Sequence, residues 1–406
     1  MRCGLLGKTL AHSYSPQIHS YLGDYSYELF EKQPEELIDF LKNDPFSGIN
    51  VTIPYKKDVI PFCDELTECA KTLGAVNTIV RRPDGTLIGH NTDYFGFQYM
   101  VEKTGLAVAG KKALVLGSGG ASVTAVAVLK NLGAEVVVVS RSGENNYSNL
   151  NLHRDAALIV NATPVGMYPH AGVSPVDLDL FPYLEGVLDI VYNPARTKIL
   201  LDAEARGIPC ENGLSMLVAQ AKEAAEWFTG NAIDDSVISE IHDKLRKQME
   251  NIVLIGMPGC GKSTVGKLLA EETGKQFVDA DAEIVQATGK PIPEIFAEEG
   301  EAGFRKWETD VLSQIGQRSG LVVATGGGCV TRNENYPLLH QNGTIYWLKR
   351  DVSALPTDGR PLSQAGKLAQ MWQIRKPMYE YFADHIIDNN SSPENAVAEI
   401  LKGCVL

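Results

Sequence analysis

The sequence predicts an α/β protein made of two consecutive units, and three observations carry that expectation. Strand-like runs (ALVLG 113–117, EVVVVS 135–140, ALIVNAT 157–163, GVLDIVY 186–192) alternate with helix-like segments, the pattern of a parallel sheet covered by helices. A second series of the same kind begins at NIVLIG 251–256 and continues through KQFVDAD, GLVVATGGG and GTIYWLKR. At 406 residues the chain exceeds what one hydrophobic core supports, so two units have room to be separate.

Composition narrows the function classes. Hydrophobic residues at 44% and charged residues at 21% are an ordinary globular balance, which argues against long disordered tracts. A net charge of −13 argues against non-specific nucleic-acid binding, so an anionic ligand must be met by local Arg and Lys. Seven cysteines without a CxxC pair fit reduced thiols better than a disulfide framework or a zinc site. The opening MRCGLLGKTLAHSYS has no apolar signal core, and no run of about 18 apolar residues follows anywhere. A soluble cytoplasmic protein without membrane or nucleic-acid partners is expected. Between the two series, AIDDSVISEIHDKLRKQMEN sets Ile233, Val237, Ile241 and Leu245 at helical spacing, an amphipathic helix running almost directly into the second unit.

In the second unit, GMPGCGKS (256–263) matches GxxxxGK[ST] and sits between the strand NIVLI and the helix-like STVGKLLAEETG. Gly256, Gly259 and Gly261 let backbone N–H groups wrap a phosphate at a helix N-terminus. Lys262 reaches the β/γ-phosphates, Ser263 is the Mg²⁺ ligand, and Thr264 adjoins it in the same nucleotide cradle. DADAEI (279–284) ends the next strand, where ligands gather in open α/β sheets. Asp279 is the candidate to hold the metal through water, and Asp281 to accept a proton from a hydroxyl nucleophile. The plainer reading of that pair is a strand-ending turn or helix cap. Arg305, Arg360 and Arg375, in FRKWE, DGRPL and RKPMY, are candidate anion clamps, although a lone surface arginine is usually only solvated.

With TGGGCVT (325–331), these motifs in this order resemble shikimate kinase over about residues 250–402. The resemblance implies a P-loop NTPase kinase domain with a parallel sheet over 250–406. It implies that Asp281, Arg305 and Arg375 hold shikimate, that Gly326, Gly327 and Gly328 let the backbone approach it closely, and that Arg360 belongs to the lid closing on ATP. The segment LPTDGRPLSQAGKLAQMWQIRKP, which would be that lid, is compact for the family.

In the first unit, GSGGAS follows the strand KKALVL and opens a helix-like run, so Gly117, Gly119, Gly120 and Ala121 form a candidate dinucleotide turn. The GxGxxG match is incomplete, with Ser122 in place of the third glycine. After EVVVVS comes Arg141 where an NAD site places an acidic residue, which favours the 2′-phosphate of NADP. Upstream lies a polar set: HSYSP (12–16), NVTIPYK (50–56), GAVNT (74–78) and NTDYFG (91–96). Each has a dull reading: Ser13 and Ser15 capping a helix near Pro16, Lys56 as a solvated surface lysine, Asn77 and Asp93 as turn residues.

Together with NATPVGMYP (161–169), DIVYNPART (189–197) and NGLSMLVAQA (212–221), the set resembles shikimate dehydrogenase over about residues 1–246. That implies an α/β substrate domain over 1–100, onto which helices of 214–246 pack back, and a Rossmann-like NADP domain over 101–213. It also implies that Ser13, Ser15, Thr52, Asn77, Asp93 and Gln220 bind the hydroxyls and carboxylate of shikimate, with Tyr192 nearby and Lys56 and Asp93 as the catalytic pair. Between Arg141 and Asn161 the family's longer helix and strand insertion is missing, so the adenosine side is trimmed. The two resemblances imply a bifunctional enzyme of aromatic amino acid biosynthesis, reducing 3-dehydroshikimate with NADPH and phosphorylating shikimate with ATP and Mg²⁺. Two alternatives for the first half stay open: a quinate/shikimate dehydrogenase, or a non-catalytic ligand-sensing module.

Overall fold

Sixteen strands and their helices build three sheets in the computed structural model, which describes residues 1–10, 13–355 and 365–403. The first ninety residues supply β1 (Arg2–Gly7), β2 (Ser26–Glu31), β3 (Gly48–Val51), β4 (Glu65–Leu66), β5 (Thr78–Arg81) and β6 (Leu87–His90). They form one mixed sheet in the order β2-β1-β3-β5-β6-β4, parallel at β1/β2 and β1/β3 and antiparallel at β3/β5 and β5/β6. The helix Leu214–Thr229 packs on β3 and β5 and along the helix Asp93–Lys103. Two glycines permit this. A Cβ at Gly48 would meet the Phe228 ring at 2.2 Å, and one at Gly96 would meet the Met216 carbonyl at 2.7 Å.

The aliphatic runs identified in the sequence form the next sheet: β7 (Lys112–Leu116), β8 (Glu135–Val139), β9 (Leu158–Asn161), β10 (Gly186–Asp189) and β11 (Cys210–Asn212). It is fully parallel, in the order β11-β10-β9-β7-β8. Leu114, Val115, Ile159, Val160, Val187 and Leu188 have no exposure, as expected for strands covered on both faces. Between β8 and β9 the chain makes only a short 3₁₀ turn at Leu150–His153, so β8 is an edge strand. Asn146 and Asn149 side chains hold this stretch, and Tyr147 and Leu150 plug it into the core below.

The third sheet comprises β12 (Asn251–Ile255), β13 (Gln276–Asp279), β14 (Leu321–Ala324), β15 (Gly343–Lys349) and β16 (His385–Asp388), all parallel, in the order β13-β14-β12-β15-β16. The helix before it is Ser236–Met249. Ile233 lies ahead of that helix rather than in it, because the Asp234 carboxylate accepts from Ser236 N at 2.9 Å and sets the start there. Its buried face is consequently Ile238, Ile241, Leu245 and Met249. By contacts the chain divides into two units: Met1–Met167, Val173–Tyr192 and Ile199–Asp243 form one, and Tyr168–Gly172, Asn193–Lys198 and Lys244–Leu406 the other. Among the described residues no helix is long and apolar enough to cross a membrane.

Candidate active sites

In the first unit, the turn after β3 brings Lys56 against the start of the helix Asp93–Lys103. Lys56 Nζ donates to Asp93 Oδ2 at 2.5 Å, with the two side chains 29% and 16% exposed. Lys56 is therefore a paired cation at a partly open site, not a solvated surface lysine. Asn77 is buried, and both ends of its amide are engaged, leaving one of the two Nδ2 hydrogens. Its Nδ2 donates to Thr92 Oγ1 at 3.0 Å, and its Oδ1 accepts from Thr92 N at 2.7 Å and from Thr78 Oγ1 at 3.0 Å. Thr92 Oγ1 in turn donates to Gln220 Oε1 at 3.4 Å. The network continues inward through Asn50, whose Nδ2 donates to Thr78 Oγ1 (3.1 Å) and whose Oδ1 accepts from Tyr27 OH (2.7 Å). Such a chain of satisfied buried groups fixes the rotamers of the side chains at its open end.

Ser15 opens the helix Ser15–Ser20, one residue before the expected start, and is buried. Neither serine caps that helix: the cap position is Tyr14, with no side-chain bond, and Ser13 Oγ accepts from Ser15 N at 3.2 Å. Thr52 follows β3, its N–H donating to Leu6 O at 2.9 Å. Gly7 makes room for its methyl group, which a Cβ there would meet at 2.8 Å. Tyr192 sits edge-on to Tyr14 with centroids 6.3 Å apart, and burial pushes its phenol pKa up, so it stays a donor. His12 lies outside the described residues.

The glycine turn follows β7 directly. Gly117 has φ +108°, where a side chain is strained, and a Cβ there would meet Ala162 O at 2.9 Å. Gly119 and Gly120 face open space, Gly119 serving as N-cap of the helix Gly120–Asn131 that begins beside Ala121. These residues fit a pyrophosphate at a helix N-terminus. Ser122 Oγ donates back to Gly117 O at 2.7 Å, so the residue replacing the third glycine ties the turn closed. Arg141 is exposed two residues past Val139, whose carbonyl accepts from Gly117 N at 2.8 Å.

In the second unit the loop after β12 wraps into the helix Lys262–Thr273. Gly256, Gly259 and Gly261 have φ of +145°, +82° and +102°, which only glycine adopts without strain. Lys262 is buried, its Nζ donating to Gly256 O (2.9 Å) and Met257 O (3.2 Å). Asp279 is the helix cap of the plainer reading, and it also reaches the glycine loop. Its Oδ1 caps the helix Ala280–Thr288 through Asp281 N (3.1 Å), while its Oδ2 accepts from Ser263 Oγ at 2.9 Å. A hydroxyl and a carboxylate oxygen meeting beside the glycine loop fit a hard divalent cation. Thr264, Asp281, Arg305, Gly326, Gly327, Gly328 and Arg375 line the same cavity of about 790 Å³, within the ~300–1,000 Å³ common for small-ligand sites.

Arg305 Nη1 donates to buried Glu308 at 2.8 Å and Nη2 to Glu301 at 3.2 Å. Burial alone would lower the Arg305 pKa, and the two carboxylates outweigh it; burial pushes Glu308 up against the pull of Arg305. Side chains at 326 and 328 are excluded, since a Cβ at Gly326 would meet Glu308 Oε1 at 2.6 Å and one at Gly328 the Arg305 guanidinium at 2.1 Å. Arg375 Nη1 and Tyr379 OH both donate to Gly327 O, the former at 3.0 Å. Arg360 lies outside the described residues. Sequence reasoning passed over Glu308, Tyr379, Asn50 and Thr92. The first two stand three and four positions after Arg305 and Arg375, the helical spacing that makes neighbours.

A glycine turn opening a helix and a Lys–Asp pair in one unit, with a P-loop in the other, define an α/β protein with two nucleotide-type sites. Family models match in both parts: the shikimate dehydrogenase substrate binding domain over residues 5–79 and shikimate kinase over residues 258–404. The chain is 36% identical over 275 residues to a shikimate dehydrogenase (NADP(+)) of Caldicellulosiruptor bescii, a match covering 60% of this chain and 94% of that protein. Among solved structures it is similar to a chorismate mutase/shikimate 5-dehydrogenase fusion protein from Clostridium acetobutylicum, at 36% identity and TM-score 0.58, covering 61% of this chain and 97% of that one. It is also similar to shikimate 5-dehydrogenase from Thermus thermophilus in complex with NADP(H) and shikimate, at 34% identity and TM-score 0.55, covering 60% and 99%. The chain belongs to the shikimate dehydrogenase family and carries a shikimate kinase domain after it.

Proposed function

We propose that this chain catalyses two consecutive steps, reducing 3-dehydroshikimate to shikimate with NADPH and then phosphorylating shikimate with ATP. The observation that carries the first step is the Lys56–Asp93 pair, held at a partly open surface by the buried Asn77–Thr92–Gln220 network. NADPH supplies the hydride that adds to the ring ketone carbon. As charge develops on the ketone oxygen, Lys56 Nζ gives it a proton, and Asp93 holds the ammonium in line. Ser13, Ser15, Thr52, Asn77, Gln220 and Tyr192 offer hydroxyl and amide groups for the substrate's hydroxyls and carboxylate, while Gly117, Gly119, Gly120 and Ala121 receive the pyrophosphate and Arg141 the 2′-phosphate.

At the second site, Ser263 and Asp279 would hold Mg²⁺, which would supply positive charge to the phosphates. Arg305 and Arg375 hold the carboxylate and ring of shikimate, and the loop Gly326–Gly328 lets its backbone lie against the substrate. Asp281 takes the proton of the attacking hydroxyl as its oxygen bonds to the γ-phosphorus. The bond to the β-phosphate oxygen breaks, and Lys262 stabilises the charge left on ADP. Small-molecule substrates of this kind need neither a nucleic-acid nor a membrane partner.

Two variants of the full chain test the assignment. Lys56→Met lowers NADPH-dependent reduction by about 10²–10⁴-fold and leaves phosphorylation of added shikimate intact. Asp281→Asn does the reverse. Loss of both activities in either variant, or of neither, contradicts the assignment. Comparing shikimate with quinate, each with NADP and with NAD, separates this reading from a quinate-oxidising one; preference for quinate and NAD would reject it.

A further inference from the structure

The kinase cavity contains a cation that the two reactions above leave without a task. Arg350 directly follows β15 and lines the cavity with Gly259, Gly261 and Lys262. The other cations named above that line the cavity are engaged. Lys262 donates to two loop carbonyls, Arg305 to Glu308 and Glu301, and Arg375 to Gly327 O. Arg350 Nε is sealed from solvent with no hydrogen-bond partner, and its guanidinium has no ion pair among the described residues. A half-buried guanidinium whose Nε is left without an acceptor is costly unless a ligand supplies one.

Sheet order says which ligand. The strands run β13-β14-β12-β15-β16, so the P-loop rises from the central strand. On one side, β13 leads to Asp279 and Asp281, and β14 leads to Gly326–Gly328, where Arg305 and Arg375 converge. On the other side stand the ends of β15 and β16. There Leu348 O would lie 2.6 Å from a Cβ at Gly256, and Asn389 Nδ2 donates to Cys260 O at 2.6 Å. Arg350 therefore lies across the P-loop from the acceptor groups, on the side left to the phosphate donor.

We infer that Arg350 is a nucleotide-binding residue whose guanidinium meets the polyphosphate of ATP from the flank of the P-loop opposite the acceptor groups. The inference rests on the kinase reading of the second unit. A planar guanidinium can hold two phosphate oxygens at once, and among the described residues no carboxylate is paired with it.

The test compares the full-length wild type with Arg350→Met and Arg350→Lys. ADP and adenosine affinities are measured at equilibrium and KM values for MgATP and shikimate in the steady state, with far-UV circular dichroism of the full chain reporting folded protein in each preparation. The Met variant weakens ADP affinity and raises the MgATP KM about tenfold or more. The Lys variant recovers part of this, while adenosine affinity and the shikimate KM stay within about twofold in both. Unchanged ADP affinity in the Met variant overturns the inference. So does an equal loss for adenosine, which makes Arg350 a platform for the base, or a parallel rise in both KM values, which makes it a structural support. ADP binding that depends on Arg350 in a chain that phosphorylates no shikimate would support the inference and defeat the kinase reading.

Discussion

His19 stacks on Tyr27 with ring centroids 3.9 Å apart, its Nδ1 lies 2.7 Å from Tyr25 OH, and it is 1% exposed. Burial lowers its pKa to about 3. Because this lies below the unfolded value of about 6.5, the neutral ring's contribution is complete above pH 6.5 and is lost as pH falls toward 3. Between pH 6.5 and 5 the loss is about 2 kcal/mol, from 1.36 kcal/mol per pH unit. The urea midpoint for loss of dehydrogenase activity should therefore fall over this range in the wild type and fall less in His19→Phe; identical slopes would contradict the assignment. The sequence allowed no such forecast, because His19 is defined by what packs on it from β2 and from Phe228. Ser122 shows the same limit. In the sequence it is a broken motif, and only the bond to Gly117 O shows it closing the turn in another way. Ser122→Ala removes that bond, worth about 1 kcal/mol, and should raise the NADPH KM severalfold while the 3-dehydroshikimate KM holds.

At the scale of elements, the two sites depend on close approaches that glycine permits. The helix Asp93–Lys103 carries the carboxylate proposed to be catalytic and the helix Leu214–Thr229 carries Gln220, and they meet at Gly96, where a Cβ would lie 3.0 Å from Gln220 Cβ. Gly96→Ala should displace Gln220 and raise the 3-dehydroshikimate KM about tenfold, with the NADPH KM and kinase activity unchanged. An unaltered KM would show that the helices can part at no cost to the site. The aliphatic runs made β7 to β10 and β12 to β15 legible to within a few residues, since strands buried on both faces need unbroken apolar sequence. The mixed sheet of the first ninety residues was not legible. Its strand β2, SYELFE, is mostly exposed, so no apolar run marks it. The glycine loops at 117–120 and 256–261 were legible by spacing, each falling where a strand gives way to a helix. Asn50, Thr92 and Arg350 were not, because their roles arise from strand order and hydrogen bonding between distant segments.

For the whole molecule, two nucleotide-type sites in one chain are explained by chemistry in which the product of the first is the substrate of the second. The reduction leaves a ring hydroxyl where a ketone stood, and that hydroxyl is the nucleophile the second site requires. β8 is the edge strand of its sheet, and only a short 3₁₀ turn connects it to β9. The most direct measurement is a coupled assay on the purified full-length chain. 3-Dehydroshikimate and NADPH are mixed, cofactor absorbance is followed to completion, MgATP is added, and shikimate 3-phosphate is quantified. The account predicts NADPH oxidation equal to the 3-dehydroshikimate supplied, followed by an equal amount of phosphorylated product. Persistence of NADPH in a chain that still phosphorylates added shikimate would contradict it, leaving a kinase attached to a first half that binds but does not reduce.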